Sequence, residues 1–202
     1  CNDKLVGART YPETIASNNS PEDDDGHGSH TASTVAGNVI TDTVLNGILL
    51  GTISGVAPHA NIIAYDACNT GAGCPDAALL AAINDAVADG VDVINYSIGG
   101  GSRDPWHDAT AQAFLNARAA GIFVSVSAGN NGPGASTIGS PSNAPWITSV
   151  GASTHNRRLV NSLTGLTRND ATTLPAIVGR SITGSYSSHP IVYAGAAPYN
   201  NP

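Results

Sequence analysis

Val91-Asp92-Val93-Ile94-Asn95-Tyr96 and Ile122-Phe123-Val124-Ser125-Val126 are two short apolar runs with a helical pattern between them, and the fold turns on their order. Ahead of them, Ile62-Ile63-Ala64-Tyr65 reads as a further buried strand. Pro75 stands where a helix begins; Leu79, Leu80, Ile83, Ala86 and Val87 follow at helical spacing, and Gly90 stops it. Asp104-Pro105 supplies a cap and a first-turn proline for a second helix, carried by Ala109, Ala113, Leu115, Ala117 and Ala120 to Gly121. This is a βαβαβ order. Its crossovers imply a parallel, right-handed sheet with helices on both faces, an α/β fold. Trp146-Ile147-Thr148-Ser149-Val150 adds another strand.

In an open α/β sheet, binding sites form at the carboxyl ends of the strands. Cys68 to Cys74, Ser97 to Gly101 and Ser127 to Gly132 are therefore predicted to share one edge. The last two are polar and rich in glycine, as a site lined by backbone requires.

The 202 residues suffice for a folded domain with a substantial core, and 41% are hydrophobic. The net charge of -7 opposes a nucleic-acid partner, whose phosphates need a basic face. No apolar run approaches the length of a membrane span, and nothing resembles a signal peptide. The chain opens on Cys1 and contains no Met, so a preceding piece is expected outside it. The six His are scattered, with no pair at metal-ligand spacing on a helix. Cys68 and Cys74 bracket a flexible loop that lets them meet in a short disulfide; two free surface thiols are the other reading. A disulfide implies an oxidising, extracellular compartment, with Cys1 left over.

Asp23-Asp24-Asp25-Gly26-His27-Gly28-Ser29-His30-Thr31-Ala32 continues into small residues as far as Gly37. The acids suit a helix N-terminus, and the small residues suit close packing in the interior. Asp25 lies close to His27 and is expected to be occupied in capping. Asp85, Asp89 and Asp92 read as a solvated helix face and a strand entry rather than a calcium site. His59, His107, His155 and His189 read as surface or core residues.

Three blocks, in order, resemble the subtilase family of serine proteases. Gly26-His27-Gly28-Ser29-His30-Thr31-Ala32 is similar to its Gly-His-Gly-Thr-His block; Val91 to Gly100 is similar to one wall of the primary specificity pocket; Val126-Ser127-Ala128-Gly129-Asn130 is similar to the opposite wall. Cys1 to Arg9 and the Cys68 to Cys74 loop resemble the cucumisin- and pyrolysin-like branches. The resemblance covers roughly residues 1 to 165 and implies a partial subtilisin-like catalytic domain. It implies His27 as general base and Asn130 as oxyanion donor, with Ser97, Ile98, Gly99, Ser127, Ala128 and Gly129 presenting backbone to an extended polypeptide substrate. Residues 166–202 hold β-prone runs such as Ile191-Val192-Tyr193, expected to lead into an inserted protease-associated domain.

The family's Asp-Thr-Gly block and its Gly-Thr-Ser-Met-Ala block do not occur here. The triad's aspartate and serine are expected from the remaining segments of the same protease, beyond the two ends. No cofactor is expected; family members often bind calcium, yet no oxygen-rich loop identifies a metal site. The rival reading is a non-catalytic, subtilase-like binding or scaffold protein.

Overall fold

The computed structural model describes residues 1–12, 20–71, 73–156, 158, 160–168 and 170–181. Along them run β1 (Leu5–Thr10), α1 (His27–Ala36), β2 (Ile40–Leu45), β3 (Ile48–Ile53), β4 (Ile62–Asp66), α2 (Asp76–Asp89) and β5 (Val93–Tyr96). Then come α3 (Ala109–Ala119), β6 (Phe123–Ser127), β7 (Thr148–Val150), β8 (Val160–Leu163) and β9 (Ile177–Arg180). They fall into two units: Cys1–Val39 with Ser54–Thr154, and Ile40–Ile53 with His155–Pro202.

In the first unit the strands are parallel, as the βαβαβ order requires, and the α/β class holds. β5, β6 and β7 form one ladder, with Val93 opposite Phe123, Tyr96 opposite Val126 and Ser127 opposite Val150. β4 pairs in parallel with β1 instead, Ala8 opposite Ala64 and Thr10 opposite Asp66. The β4–α2–β5 crossover therefore joins two ladders rather than two neighbours. Strand β1 carried no clear signal in the sequence, because Gly7 and Arg9 interrupt the apolar pattern that marks a buried strand.

Helix α2 buries Ala78, Leu79, Ile83 and Ala86, close to the predicted face. It ends where Gly90 turns left-handed, φ 70°, and donates its N–H to the carbonyls of Ala86 and Val87. The second helix departs from expectation. Asp104-Pro105 opens only a 3₁₀ turn, Pro105–His107, in which Asp104 accepts from the Trp106 N–H. Asp108 is extended, φ -106° and ψ 114°, so the helix restarts at Ala109 with Asp108 accepting the Ala111 N–H at 2.8 Å. The buried stripe is accordingly Thr110, Ala111, Phe114 and Ala117, with Ala113 packed beside it; of the expected run Ala117 is buried, whereas Ala109 and Ala120 are exposed and Leu115 is half-buried. Phe114 is fully enclosed and meets the Tyr96 ring edge-on, centroids 5.0 Å apart. With Leu79, Ile83, Ile122, Val124 and Val126 they make the core. Burying each large side chain there contributes about 1.5–3 kcal/mol.

Trp146 does not enter the strand that was expected to start with it. Its indole N–H donates to the Ala111 carbonyl at 2.7 Å, and its ring lies against Trp106. Asp89 is exposed and Asp85 half-buried, and both are paired: Arg9 bonds Asp89, Tyr65 donates to Asp89 at 2.8 Å, and Tyr11 donates to Asp85 at 3.1 Å. These bonds tie α2 to β1 and β4.

Helix α1 forms where predicted but is not interior. Only Ala36 is buried, because what packs on the helix is the segment at its C-terminal end. There Gly55, Val56 and Ala57 donate backbone N–H groups to the carbonyls of Gly37, Thr34 and Val35 at 2.8–3.0 Å. A side chain at Gly55 would stand 2.3 Å from the Gly37 nitrogen, so this contact demands glycine.

In the second unit β2 and β3 form an antiparallel hairpin across Asn46-Gly47, both with positive φ. β8 and β9 pair antiparallel, Val160 opposite Arg180 and Leu163 opposite Ile177. The predicted strand Ile191-Val192-Tyr193, with His189, lies outside the described residues.

Candidate active site

His27 is the first residue of α1, exposed at its N-terminal turn. Gly26 before it is left-handed, φ 91°, a conformation open to glycine at little steric cost. The capping carboxylate is Asp23 rather than Asp25. It accepts the N–H groups of Gly26 and Ser29 at 2.7 Å each, and that of Asp25 itself at 3.1 Å. Hydrogen bonds from Ser29 and from the Gly26 backbone hold the Asp23 carboxyl well below the usual carboxylate range.

Cys68 and Cys74 form a disulfide, which settles the two readings left open by the sequence. Within the closed loop Asn69 and Gly73 exchange backbone hydrogen bonds at 2.9 Å, and the buried Asn69 side chain accepts the Gly71 N–H at 3.0 Å. The loop reaches the histidine turn: Thr70 donates its hydroxyl to Asp24 at 3.2 Å. At the end of β4, burial and then the nearby charges of Asp24 and Asp23 push the Asp66 carboxyl up.

The other predicted residues leave the carboxyl ends of β5 and β6. Because Tyr96 and Val126 stand opposite each other in a parallel ladder, Ser97-Ile98-Gly99 and Ser127-Ala128-Gly129 emerge side by side from one end of the sheet. The Ala128 N–H donates to Val150 at 2.8 Å, and Gly129 is left-handed, φ 91°, turning the chain toward the exposed Asn130.

A segment with no helix or strand signal in the sequence connects the two. Gly139 donates its N–H to the Ala128 carbonyl at 3.3 Å, and the Ser140 carbonyl accepts the Gly100 N–H at 2.9 Å. The approach is close enough that a side chain on Gly139 would lie 2.1 Å from the Gly100 oxygen. Ser140 and Asn143 then hold Ser102 and Arg103 through their side chains. No periodicity pointed to these residues, since their partners lie 37 to 41 positions away. Among the described residues no group of three His, Cys, Asp or Glu is arranged to hold a metal ion.

The arrangement is thus an α/β unit with two glycine-rich strand ends held side by side and a histidine turn organised by one carboxylate. The chain belongs to the subtilase family, whose model matches residues 5–196. It is 47% identical over 164 residues to subtilisin-like protease SBT4.10 of Arabidopsis thaliana, covering 81% of this chain and 22% of that protein. With SBT1.7 of the same plant it shares 44% identity over 167 residues, 78% of this chain and 22% of the relative. With SBT4.13 it shares 40% over 201 residues, 98% of this chain and 26% of the relative. The chain therefore spans about a quarter or less of the length of these curated relatives.

Proposed function

We propose that this chain is a segment of a secreted serine endopeptidase that hydrolyses peptide bonds in polypeptide substrates. The observation that carries the reading is the pair of strand ends, Ser97-Ile98-Gly99 and Ser127-Ala128-Gly129, set side by side with exposed Asn130 at the close of the second. An extended peptide lies between them and bonds to backbone, adding itself as a strand. His27, as a neutral imidazole, takes the nucleophile's proton and returns it to the leaving amine. Asn130 donates its amide to the oxyanion of the tetrahedral intermediate.

The aspartate and the serine of the triad come from the remaining segments of the same protease. The length of the relatives supports this, since each is nearly four times as long as the chain. Residues 166–202 lead into an inserted β-rich domain. The disulfide supports an extracellular location, where such a bond persists. No helix among the described residues is long and apolar enough to cross a membrane. The mechanism calls on no cofactor, and the acidic balance of the chain supports neither a nucleic-acid nor a membrane partner.

Mass spectrometry of the intact protein tests the reading, together with labelling by a serine-directed phosphonate. Peptides containing the Asp-Thr-Gly and Gly-Thr-Ser-Met-Ala blocks, and stoichiometric labelling lost in His27→Ala, are the expected results. A complete protein without the serine block would overturn the protease and leave a binding or scaffold protein in its place.

A further inference from the structure

Ser140 and Asn143 occupy an unusual position. The backbone of Gly139 and Ser140 bonds to both strand-end segments, to Ala128 on one side and to Gly100 on the other. The first segment leaves β5 and continues through Gly99, Gly100 and Gly101, a run with no side chains to hold it in place. Beyond it, the Asn143 amide donates to the Arg103 carbonyl at 2.8 Å and to the Ser102 hydroxyl at 3.2 Å. Ser140, itself buried, accepts the Arg103 N–H on its hydroxyl at 2.8 Å and donates that hydroxyl to the Asn143 Oδ1 at 3.1 Å. Asn143 thus fills both of its roles at once, as donor to the loop and acceptor from the serine. A carboxylate in its place has no N–H and faces the Arg103 carbonyl with like charge.

We propose that Asn143, acting with Ser140, is a positioning residue that fixes the distance between the two substrate-binding segments and so sets the size of side chain the protease accepts. This rests on the reading of Ser97–Gly99 and Ser127–Gly129 as substrate walls. The physical case is that backbone walls have no side-chain packing of their own; what pins the far end of a glycine run decides where the run lies. A brace across the base of the two segments is stiff against widening. The Asn143 side chain bonds to Ser102, Arg103 and Ser140 and lies outside the proposed substrate-binding and catalytic residues, so it acts on the fit of the substrate more than on the chemical step.

The test uses the full-length, phosphonate-reactive protease and a peptide series varied only in the residue on the acyl side of the scissile bond. In Asn143→Ala and Asn143→Asp, KM for the preferred peptide rises about 5- to 10-fold, kcat stays within about 2-fold, and the ratio of kcat/KM between large and small side chains shrinks. Should the alanine variant fail to accumulate, the aspartate variant, which keeps the volume, carries the test. Asn143→Ser retains a donor and restores part of the preference. Unchanged KM and side-chain preference in a correctly folded, fully labelled variant overturns the proposal, as does a loss confined to kcat. Absence of phosphonate labelling in the wild-type protein sinks instead the protease reading on which the proposal stands.

Discussion

The Asp24 carboxylate accepts the hydroxyl of Thr70 at 3.2 Å and its backbone N–H at 3.4 Å, so the disulfide loop is bonded to the residue three before His27. Both partners are exposed, and the bond is a brace rather than a core contact. Its strength depends on how little Thr70 can move, which the Cys68–Cys74 closure limits.

Opening that loop is expected to loosen the protein locally. Replacing Cys68 and Cys74 together by Ser should lower stability by about 2 kcal/mol, the chain-entropy value for so short a loop. Thr70→Val should cost about 0.5–1 kcal/mol. Urea unfolding of the full-length protein reads both, and an unchanged midpoint in the double cysteine variant would remove the brace from consideration.

The proposed roles of His27 and Asn130 separate in kinetics. His27→Ala should abolish turnover. Asn130→Ala should lower kcat roughly 100- to 1,000-fold with little change in KM, a magnitude taken over from a related subtilase. Normal turnover in the first variant would falsify its role as base.

Asp23 in the histidine turn and Asp66 at the end of β4 respond to pH in opposite senses. Asp23 is held below its ordinary value of 3.8, so its contribution to stability is present above that pH and fades as pH falls through its lower folded value. Asp66 is raised above 3.8, so its ionised form is disfavoured in the fold and opposes stability at neutral pH. Asp66→Asn should therefore raise Tm at pH 7 and lose that advantage below about pH 4, whereas Asp23→Asn should lower Tm at pH 7. Melting curves between pH 3 and 8 distinguish these; parallel pH profiles for the two variants would contradict the assignment.

Gly55 offers a purely steric check. The Cβ of Gly55→Ala would meet the Gly37 nitrogen at 2.3 Å, with backbone on both sides of the clash. A loss of about 1–3 kcal/mol or more is expected in urea unfolding. A neutral effect would mean that the end of α1 is free to shift.

The chain's α/β class, the order of β4, α2, β5, α3 and β6, and the loops at the strand ends were legible because apolar spacing and punctuation by Gly and Pro are local properties. His27, Asn130 and the paired cysteines stood out for the same reason: each sits in a block or loop that is contiguous in sequence. Phe114 was missed because Asp108 restarts the helix and rotates its buried face, a matter of one residue's backbone angles. Strand β1 and its pairing with β4 were missed because register between distant strands is a long-range choice.

What the sequence determined alone was therefore the family pattern and the candidate chemistry, both written in runs of neighbouring residues. The tertiary structure decided which carboxylate caps the histidine turn, that the disulfide loop reaches it, and that Gly139, Ser140 and Asn143 hold the two strand ends together. Those facts depend on hydrogen bonds between groups far apart in the chain. No short-range preference encodes such a bond; it exists only once packing has brought donor and acceptor within about 3 Å of each other.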